Sequence, residues 1–245
     1  MEYKIIDKKD VELWVNESIT VRNNKTGVLG RLTMNIDECA ESPREWDNVC
    51  KIVSRSGNWD ISDKGWTMTH SEFVEYLHGL LDKKCPEIKG LTDAENIADC
   101  ECVKKYILCK PVYMYDHSGQ TISLTPFGDR WDSGIAGFIF CTKEDIKKNC
   151  TDVTNKNWLE IAEKVMSSEI DIYDDYIRGA VYCYCLEEAH TVEHKDLTSG
   201  NKWVTSEFEV VDSLCGFYGD NCSREILEQA LGNEWCVVEP IKESF

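Results

Sequence analysis

Strand-like segments joined by polar turns constrain the fold of this chain more than any other feature of its sequence. Residues 18–22 and 28–36 flank the stretch NNKTG, which is the pattern of a hairpin with a longer loop. Residues 107–115, 121–125 and 135–140 form a second group of predicted strands, in which Pro111 indicates an edge or a bulge. Residues 180–186 alternate in polarity and are predicted to pair with 203–211. The pattern predicts antiparallel meanders.

Helical periodicity lies between these groups of strands. Thr69 and Thr92 each precede a Glu by three residues, a capping signal that predicts helices ending before Pro86 and near residue 105. Further helices are predicted over 143–148, 157–177 and 223–231, whereas residues 37–67 are predicted to be irregular. These elements predict an α+β fold, with several helices packed on antiparallel meanders around a single core.

The chain is predicted to form one domain. Its 245 residues are 42% hydrophobic, which is enough apolar material for a sizeable core. No internal repeat and no Gly/Ser-rich linker divides them. We therefore expect a single α+β domain over residues 1–245, with residues 1–36 as an N-terminal β-meander subregion.

Acidic residues dominate the charge of the chain, and they are unevenly distributed. The net charge is −18; residues 1–120 carry 16 Lys and Arg against 21 Asp and Glu, and residues 121–245 carry 11 against 24. This balance disfavours direct binding to nucleic acid or to an anionic membrane. Acidity commonly serves solubility alone. The more specific hypothesis is an acidic face that competes with DNA for a basic partner, which requires the charge to gather on one face.

Cysteine usage and the N-terminal sequence predict a compartment. There are 13 cysteines, the first ten residues lack the apolar core of a signal peptide, and no apolar run reaches the ~18 residues of a membrane span. Free thiols in a reducing environment are the simplest account of these features. We expect a cytoplasmic protein.

Metal-binding spacings are present but lack the required context. Residues 190–194 read HTVEH, the form found in inverted zinc peptidases, yet they lie between two predicted strands and are predicted to be a loop. Cys183 and Cys185 are close in sequence, but no C-x₂-C pair exists. The sequence therefore predicts neither a metal nor a cofactor.

Three turns combine Asp with Ser: 115–119 (YDHSG), 131–134 (WDSG) and 211–213 (VDS). The simplest interpretation is turn chemistry, in which these side chains bond the local backbone. The functional alternative is a metal-dependent hydrolase or nuclease that uses Asp116, His117, Asp132 and Asp212. That alternative requires the turns to meet. No nucleophile elbow, phosphate loop or dinucleotide fingerprint is present.

Tryptophans in predicted loops are candidate anchors for a protein partner. Trp46, Trp59, Trp66 and Trp131 lie in such loops, and large aromatic side chains often dominate binding energy at interfaces. The candidate interaction residues are Trp46, Asp47, Trp131, Asp132, Asp174 and Asp175.

Five segments resemble a family of uncharacterised phage and prophage proteins. They are ESPREWDN at 41–48, YDHSG at 115–119, WDSGIAGFIF at 131–140, YDDYIRG at 173–179 and VDSLCGFYG at 211–219, in the same order as in that family. Ser42 and the pair Leu214 and Cys215 depart from the family pattern, and the region 190–202 is longer. The resemblance implies a phage-encoded accessory protein of the bacterial cytoplasm and carries over no catalytic residue.

The function predicted from these features is inhibition of a host factor by an acidic interaction protein. We expect the target to be an antiviral defence nuclease complex, with inhibition of the anti-restriction or anti-CRISPR type and a charge pattern similar to a DNA mimic. The partner is then a host protein with a basic nucleic-acid-binding surface. Besides the metal-dependent hydrolase, a further alternative is the binding of a small nucleotide signal, which requires a polar, basic-lined pocket.

Overall fold

The computed structural model describes residues 2–55, 59–81, 83–195 and 201–241. These residues form five helices and eleven strands in two sheets, so the predicted α+β class is confirmed. The chain divides into two compact units: unit 1 comprises Met1–Ala40 and Gly179–Phe245, and unit 2 comprises Glu41–Arg178. Whether the two units make one domain, as the sequence predicts, stays a prediction.

Unit 1 contains a six-stranded antiparallel sheet with the order β1-β11-β2-β3-β9-β10. Its strands are β1 (Tyr3–Ile6), β2 (Ser18–Asn23), β3 (Leu29–Ile36), β9 (Val181–Lys195), β10 (Lys202–Tyr218) and β11 (Trp235–Pro240). The first 36 residues are therefore not a separate meander, because β1 and β2 both pair with β11 near the other end of the chain. Unit 2 is inserted in the sequence between β3 and β9, which are neighbours in this sheet.

The core of unit 1 lies on one face of its sheet. Leu32 pairs with Leu186 and Met34 with Tyr184, and these side chains pack with the buried face of α5 (Ser223–Leu231). Because side chains alternate along a strand, the neighbours of these residues point to the opposite face. Arg31, Cys183 and Cys185 on that opposite face are half-buried or exposed.

Unit 2 contains a five-stranded sheet with the order β5-β4-β8-β6-β7. Its strands are β4 (Lys51–Arg55), β5 (Thr67–Met68), β6 (Ile107–Asp116), β7 (Gln120–Ser123) and β8 (Ser133–Thr142). Its helices are α1 (His70–Leu81), α2 (Ala94–Asp99), α3 (Lys143–Asn149) and α4 (Trp158–Ile177). Only β5 pairs in parallel; the other pairs are antiparallel.

Both faces of the unit 2 sheet are covered. Phe138 and Phe140 pack with α1 and α2 on one face, whereas Ile139 and Cys141 pack with α3 and α4 on the other. This alternation produces a run of buried residues along β8. Such a continuous apolar strand is the sequence pattern of a sheet that is buried on both faces.

Several predicted details were wrong. β8 pairs with β6 and not with β7, so these three strands do not form a meander. β4 lies inside the segment that was predicted to be irregular, and the segment 190–194 lies in β9 and not in a loop. Residues 211–213 lie within β10, where the register shifts between Val210 and Asp212. Pro111 is next to a bulge at Val112 and Tyr113, in agreement with the prediction.

Among the residues that the structure describes, no helix is long and apolar enough to cross a membrane.

Candidate interaction surfaces

Trp131 is the most exposed large hydrophobic side chain among the described residues of unit 2, and its backbone is held in place. The residue lies in the turn before β8 and is 94% exposed. Asp129 Oδ1 accepts hydrogen bonds from the N–H groups of Trp131 (2.7 Å) and Asp132 (2.9 Å), and Ser133 Oγ donates to the carbonyl of Asp129. The two N–H groups lower the pKa of Asp129. The result is an ordered turn that presents an indole to solvent. We call residues 129–133 the Trp131 turn.

Three of the four residues of the metal-dependent alternative lie beside this turn. The backbone N–H of Asp116 donates to the carbonyl of Asp132 (2.8 Å), and His117 Nδ1 lies 3.0 Å from Asp132 Oδ2. Asp116 Oδ2 accepts from Trp59 Nε1 (2.8 Å) and from Gln120 Nε2 (3.1 Å), which lowers the pKa of Asp116. The carboxylate of Asp116 is thus already bonded to neutral donors that fix the β6–β7 turn.

Asp212, the fourth residue, belongs to unit 1. Its Oδ2 accepts a hydrogen bond from the hydroxyl of Tyr184 (2.7 Å). Across the residues with described positions, no group of three or more His, Cys, Asp or Glu side chains is arranged to hold a metal ion. The metal-dependent alternative therefore has no ligand group in the described part of the chain.

Asp174 and Asp175 are paired within unit 2. Asp174 Oδ1 accepts from Thr121 Oγ1 and from the backbone N–H of Ile122, both at 2.7 Å, which ties α4 to β7. Arg178 donates from Nε to Asp174 and from a terminal nitrogen to Asp175. Of these two predicted interaction residues, Asp174 thus joins α4 to β7, and Asp175 is bonded to Arg178 at the end of the same helix.

Trp46 and Asp47 line a cleft of about 630 Å³ in unit 2. Its walls include the half-buried rings of Trp66 and Tyr76, and Lys51 and Lys148 are also part of the lining. Asp47 and Asp145 add charges of the opposite sign. The cleft is thus polar and of mixed charge, and the nucleotide-binding alternative stays a prediction.

Arg44, in the segment ESPREWDN, belongs to a buried ion cluster. Its guanidinium donates from Nε to Asp63 Oδ1 (2.7 Å) and from Nη1 to Glu169 Oε2 (3.0 Å). Glu169 Oε1 also accepts from the backbone N–H groups of Val49 (2.8 Å) and Cys50 (3.2 Å). This cluster fixes the loop before β4 to α4. The first phage-like segment is thus a structural element of unit 2.

The edge strand β10 is a surface that the sequence reasoning missed. It ends the sheet of unit 1, and most of its residues are exposed. Val204, Phe208 and Val210 share one face and are 60%, 43% and 55% exposed, while Glu207 and Glu209 share the other. The alternation VTSEFEV at 204–210 signals such a two-faced strand. The sequence analysis predicts this strand only as a pairing partner for residues 180–186.

An acidic pocket of about 400 Å³ adjoins β10 on the face that carries α5. Glu188, Asp212 and Glu234 contribute carboxylates to it, and its apolar lining includes Val211 and Trp235. All of these residues belong to unit 1. A pocket with apolar walls and carboxylates suits the methylene stem and the charged end of a Lys or Arg side chain.

Charge is more one-sided in unit 1 than in unit 2. Unit 1 carries 10 Lys and Arg against 20 Asp and Glu, and unit 2 carries 17 against 25. Unit 1, which has the exposed strand and the acidic pocket, therefore carries a net charge of −10, and the longer unit 2 carries −8.

Comparisons with protein-family models, curated proteins and solved structures gave no match to this chain. The resemblance to phage proteins therefore stays a prediction. Fold and surfaces together define an acidic α+β protein with two candidate interaction surfaces, one in each unit.

Proposed function

We propose that this protein is an acidic interaction protein that occupies the basic surface of a partner protein and thereby inhibits it. The observation that carries the proposal is Trp131, a 94% exposed indole on a turn held by Asp129. Tryptophan is enriched among the residues that dominate binding energy, because one side chain buries a large apolar area.

Order in the turn supports a role as an anchor. An exposed indole on a mobile loop would lose conformational freedom on binding, which weakens affinity. Asp129 bonds the backbone of Trp131 and Asp132, so much of that ordering is present before a partner arrives. The partner then needs an apolar pocket of the size of an indole.

The charge around Trp131 indicates the chemistry of the pocket rim. Asp116, Asp129 and Asp132 lie in or beside the Trp131 turn, with His117 and Arg130 as the basic groups. A pocket rim that carries Lys and Arg complements this surface. Electrostatic attraction also speeds the association of such a basic partner with a protein of net charge −18. A nucleic-acid-binding protein has such a surface.

The phage-like segments direct the proposal to a host factor. A phage accessory protein that binds a basic surface in the bacterial cytoplasm has the nuclease complexes of antiviral defence among its natural targets. Occupation of their nucleic-acid channel blocks substrate access without any chemical step. This proposal includes no cofactor and no direct binding of nucleic acid.

Affinity capture from a bacterial lysate tests the proposal. The wild-type chain is expected to retain a nucleic-acid-binding protein at low salt, to lose it at high salt, and to release it when duplex DNA is added. Trp131→Ala is expected to weaken capture by about tenfold or more, as truncation of a central aromatic anchor does.

Trp14→Ala is the matched control, because Trp14 is an exposed tryptophan of unit 1. It is expected to retain the partner fully. Equal capture by wild type and Trp131→Ala would contradict Trp131 as the anchor. A captured protein that DNA does not displace would contradict occupation of a nucleic-acid channel.

A further inference from the structure

Among the residues that the structure describes, no strand pairs with the outer edge of β10. β10 is the last strand of its sheet, so one row of its backbone N–H and C=O groups takes no part in the ladder. Strand edges of this kind are usually shortened, covered, or protected by charged residues, prolines or bulges. β10 runs for 17 residues, from Lys202 to Tyr218, and has no proline; its register shifts lie after Val210, so residues 203–210 form a regular edge whose charged protection is acidic. Such an edge is a template for the addition of an extended segment.

The side chains of β10 restrict which segment fits. On one face, Phe208 lies between Val204 and Val210, and the guanidinium carbon of Arg31 is 4.4 Å from the centre of its ring. Apolar side chains of an added strand would cover this row. On the other face, Glu207 and Glu209 favour cations on an added strand, because neighbouring strands place side chains of the same face about 5 Å apart. Glu207 Oε1 also lies 3.5 Å from Nε2 of His194.

Two glutamates, Glu209 and Glu188, lie directly opposite each other in neighbouring strands. Glu209 of β10 pairs in register with Glu188 of β9, an arrangement of like charges that destabilises a sheet. In the described part of the chain, no Lys or Arg lies within ion-pair distance of either residue. A cation supplied from outside would remove this repulsion.

The acidic pocket lies where such a cation would enter. Asp212 belongs to β10 itself and Glu188 to the next strand, so both are within reach of a Lys or Arg that projects from a strand beside β10. Val211 and Trp235 provide the apolar walls along which its stem would lie. The edge of β10, the pair of Glu188 and Glu209, and the acidic pocket therefore all favour the same kind of ligand, an extended segment with basic side chains.

We infer that β10 and the acidic pocket form a docking site for an extended segment of a partner protein in which apolar and basic residues alternate. The apolar residues cover Val204, Phe208 and Val210. The basic residues face Glu207 and Glu209, and one of them enters the pocket of Glu188 and Asp212. The inference goes beyond the proposed function, because it concerns unit 1 and stands without Trp131.

A second copy of this chain fits the site poorly. Antiparallel pairing of two β10 strands around Phe208 would place Glu207 of each copy opposite Glu209 of the other. Like charges directly opposite each other are destabilising, and the protein already has a net charge of −18. The charge pattern thus favours a basic partner over self-association.

A labelled peptide of about ten residues, the upper length of a common strand, tests the site. Its sequence alternates valine and lysine, and fluorescence anisotropy measures its binding to the full chain. One control peptide has the same composition in two blocks. Another has the alternating sequence with N-methyl groups along one edge, which removes the donors for strand pairing. Only the unmodified alternating peptide is expected to bind, with an affinity that falls as salt is added.

Variants of the chain locate the site. Glu188→Gln combined with Glu209→Gln is expected to weaken peptide binding about tenfold through the lost charge pairs, whereas Glu2→Gln, beside the opposite edge of the same sheet, is expected to leave it unchanged. Thermal unfolding of each variant checks that the fold is kept. Trp131→Ala is expected to bind the peptide like the wild type, which separates this inference from the proposed function.

Three results would overturn the inference. The first is equal binding of the alternating, block and N-methylated peptides, since charge attraction alone would then account for binding. The second is unchanged binding by the Glu188 and Glu209 variant. The third is a wild-type dimer in sedimentation that Phe208→Ser dissociates, since β10 would then be an interface between copies of this chain.

Discussion

The two sheets of this protein differ in how completely they are covered. In unit 2, helices pack on both faces of the sheet, and its central strand β8 is buried for six consecutive residues. In unit 1, the core lies on one face only, and the edge strand β10 is exposed along most of its length. A sheet with both faces buried uses its side chains for the core of its own unit. A sheet with an exposed face and an exposed edge strand has surface that a partner can contact.

The candidate interaction surfaces of the two units also differ in the kind of contact that they offer a partner. Unit 2 offers one indole on a fixed turn, so its recognition would depend on a single pocket in the partner. Unit 1 offers a long strand edge, where backbone hydrogen bonds would supply affinity and alternate side chains would supply specificity. Substitution of one residue, Trp131, should therefore weaken recognition through unit 2 strongly, whereas recognition along β10 is spread over several residues.

The largest expected effect on stability concerns the ion cluster in unit 2. Arg44→Met removes the partner of the buried Asp63 and the partly buried Glu169 and is expected to lower the free energy of unfolding by about 3–5 kcal/mol. Arg31→Met, in the pair of the exposed Arg31 with the half-buried Glu187 of unit 1, is expected to lower this free energy far less. Denaturant unfolding measures both. Similar losses for the two variants would contradict the contrast between the covered and the open sheet.

Thiol reactivity should separate the two units next. Cys39 and Cys215 of unit 1 are exposed, whereas Cys50, Cys109 and Cys141 of unit 2 are buried. Burial also raises the pKa of Cys109, and each unit of pKa removes about nine-tenths of the reactive thiolate near neutral pH. A thiol reagent with mass-spectrometric mapping is expected to label the first two fully before the buried three react. Early labelling of Cys50 or Cys141 would show that unit 2 opens easily.

Acid pH should loosen the Trp131 turn. The pKa of Asp129 is lowered in the folded chain, so its contribution to the turn is complete above the pKa of the unfolded state and is lost as pH falls through the lower, folded value. The amide signals of Trp131 and Asp132 in NMR spectra are expected to shift below about pH 4, the ordinary range of an Asp carboxyl. Asp129→Asn should abolish this transition; its persistence in that variant would assign it to another group.

The smallest expected effect on the free energy of unfolding is that of Trp131→Ala, the variant on which the proposed binding depends most. Trp131→Ala removes a side chain that is 94% exposed, so the free energy of unfolding is expected to change by less than about 0.5 kcal/mol. Denaturant unfolding again provides the measurement. A larger loss would indicate that the indole stabilises unit 2, and weaker capture by this variant would then have a structural explanation.

Local sequence patterns were sufficient for many elements. α5 lies at Ser223–Leu231 as predicted, and α4 begins one residue later than the prediction and ends where it was expected. Capping residues, helical spacing and a terminal glycine act within a few residues, so the sequence shows them directly. Two residues of the segments on which the predicted resemblance rests, Arg44 and Asp174, make specific contacts within unit 2.

Strand order and the division into units were not predictable in this way. β8 passes β7 to pair with β6, and β3 pairs with β9 across an insertion of 138 residues, Glu41–Arg178. Such pairings depend on contacts between distant residues. β4 was not predicted for a similar reason. Its five residues lie in a segment without a strand pattern, and they form a strand by pairing with the distant β8.

By itself, the sequence determined the α+β class, the acidity and the positions of most helices, because these follow from composition and from short-range periodicity. Tertiary structure decided which side chains are available. It placed Asp174 and Asp175 in internal pairs, left Trp131 exposed, and brought Glu188, Asp212 and Glu234 together around one pocket. Exposure and convergence depend on how distant segments pack, which no local pattern of residues records.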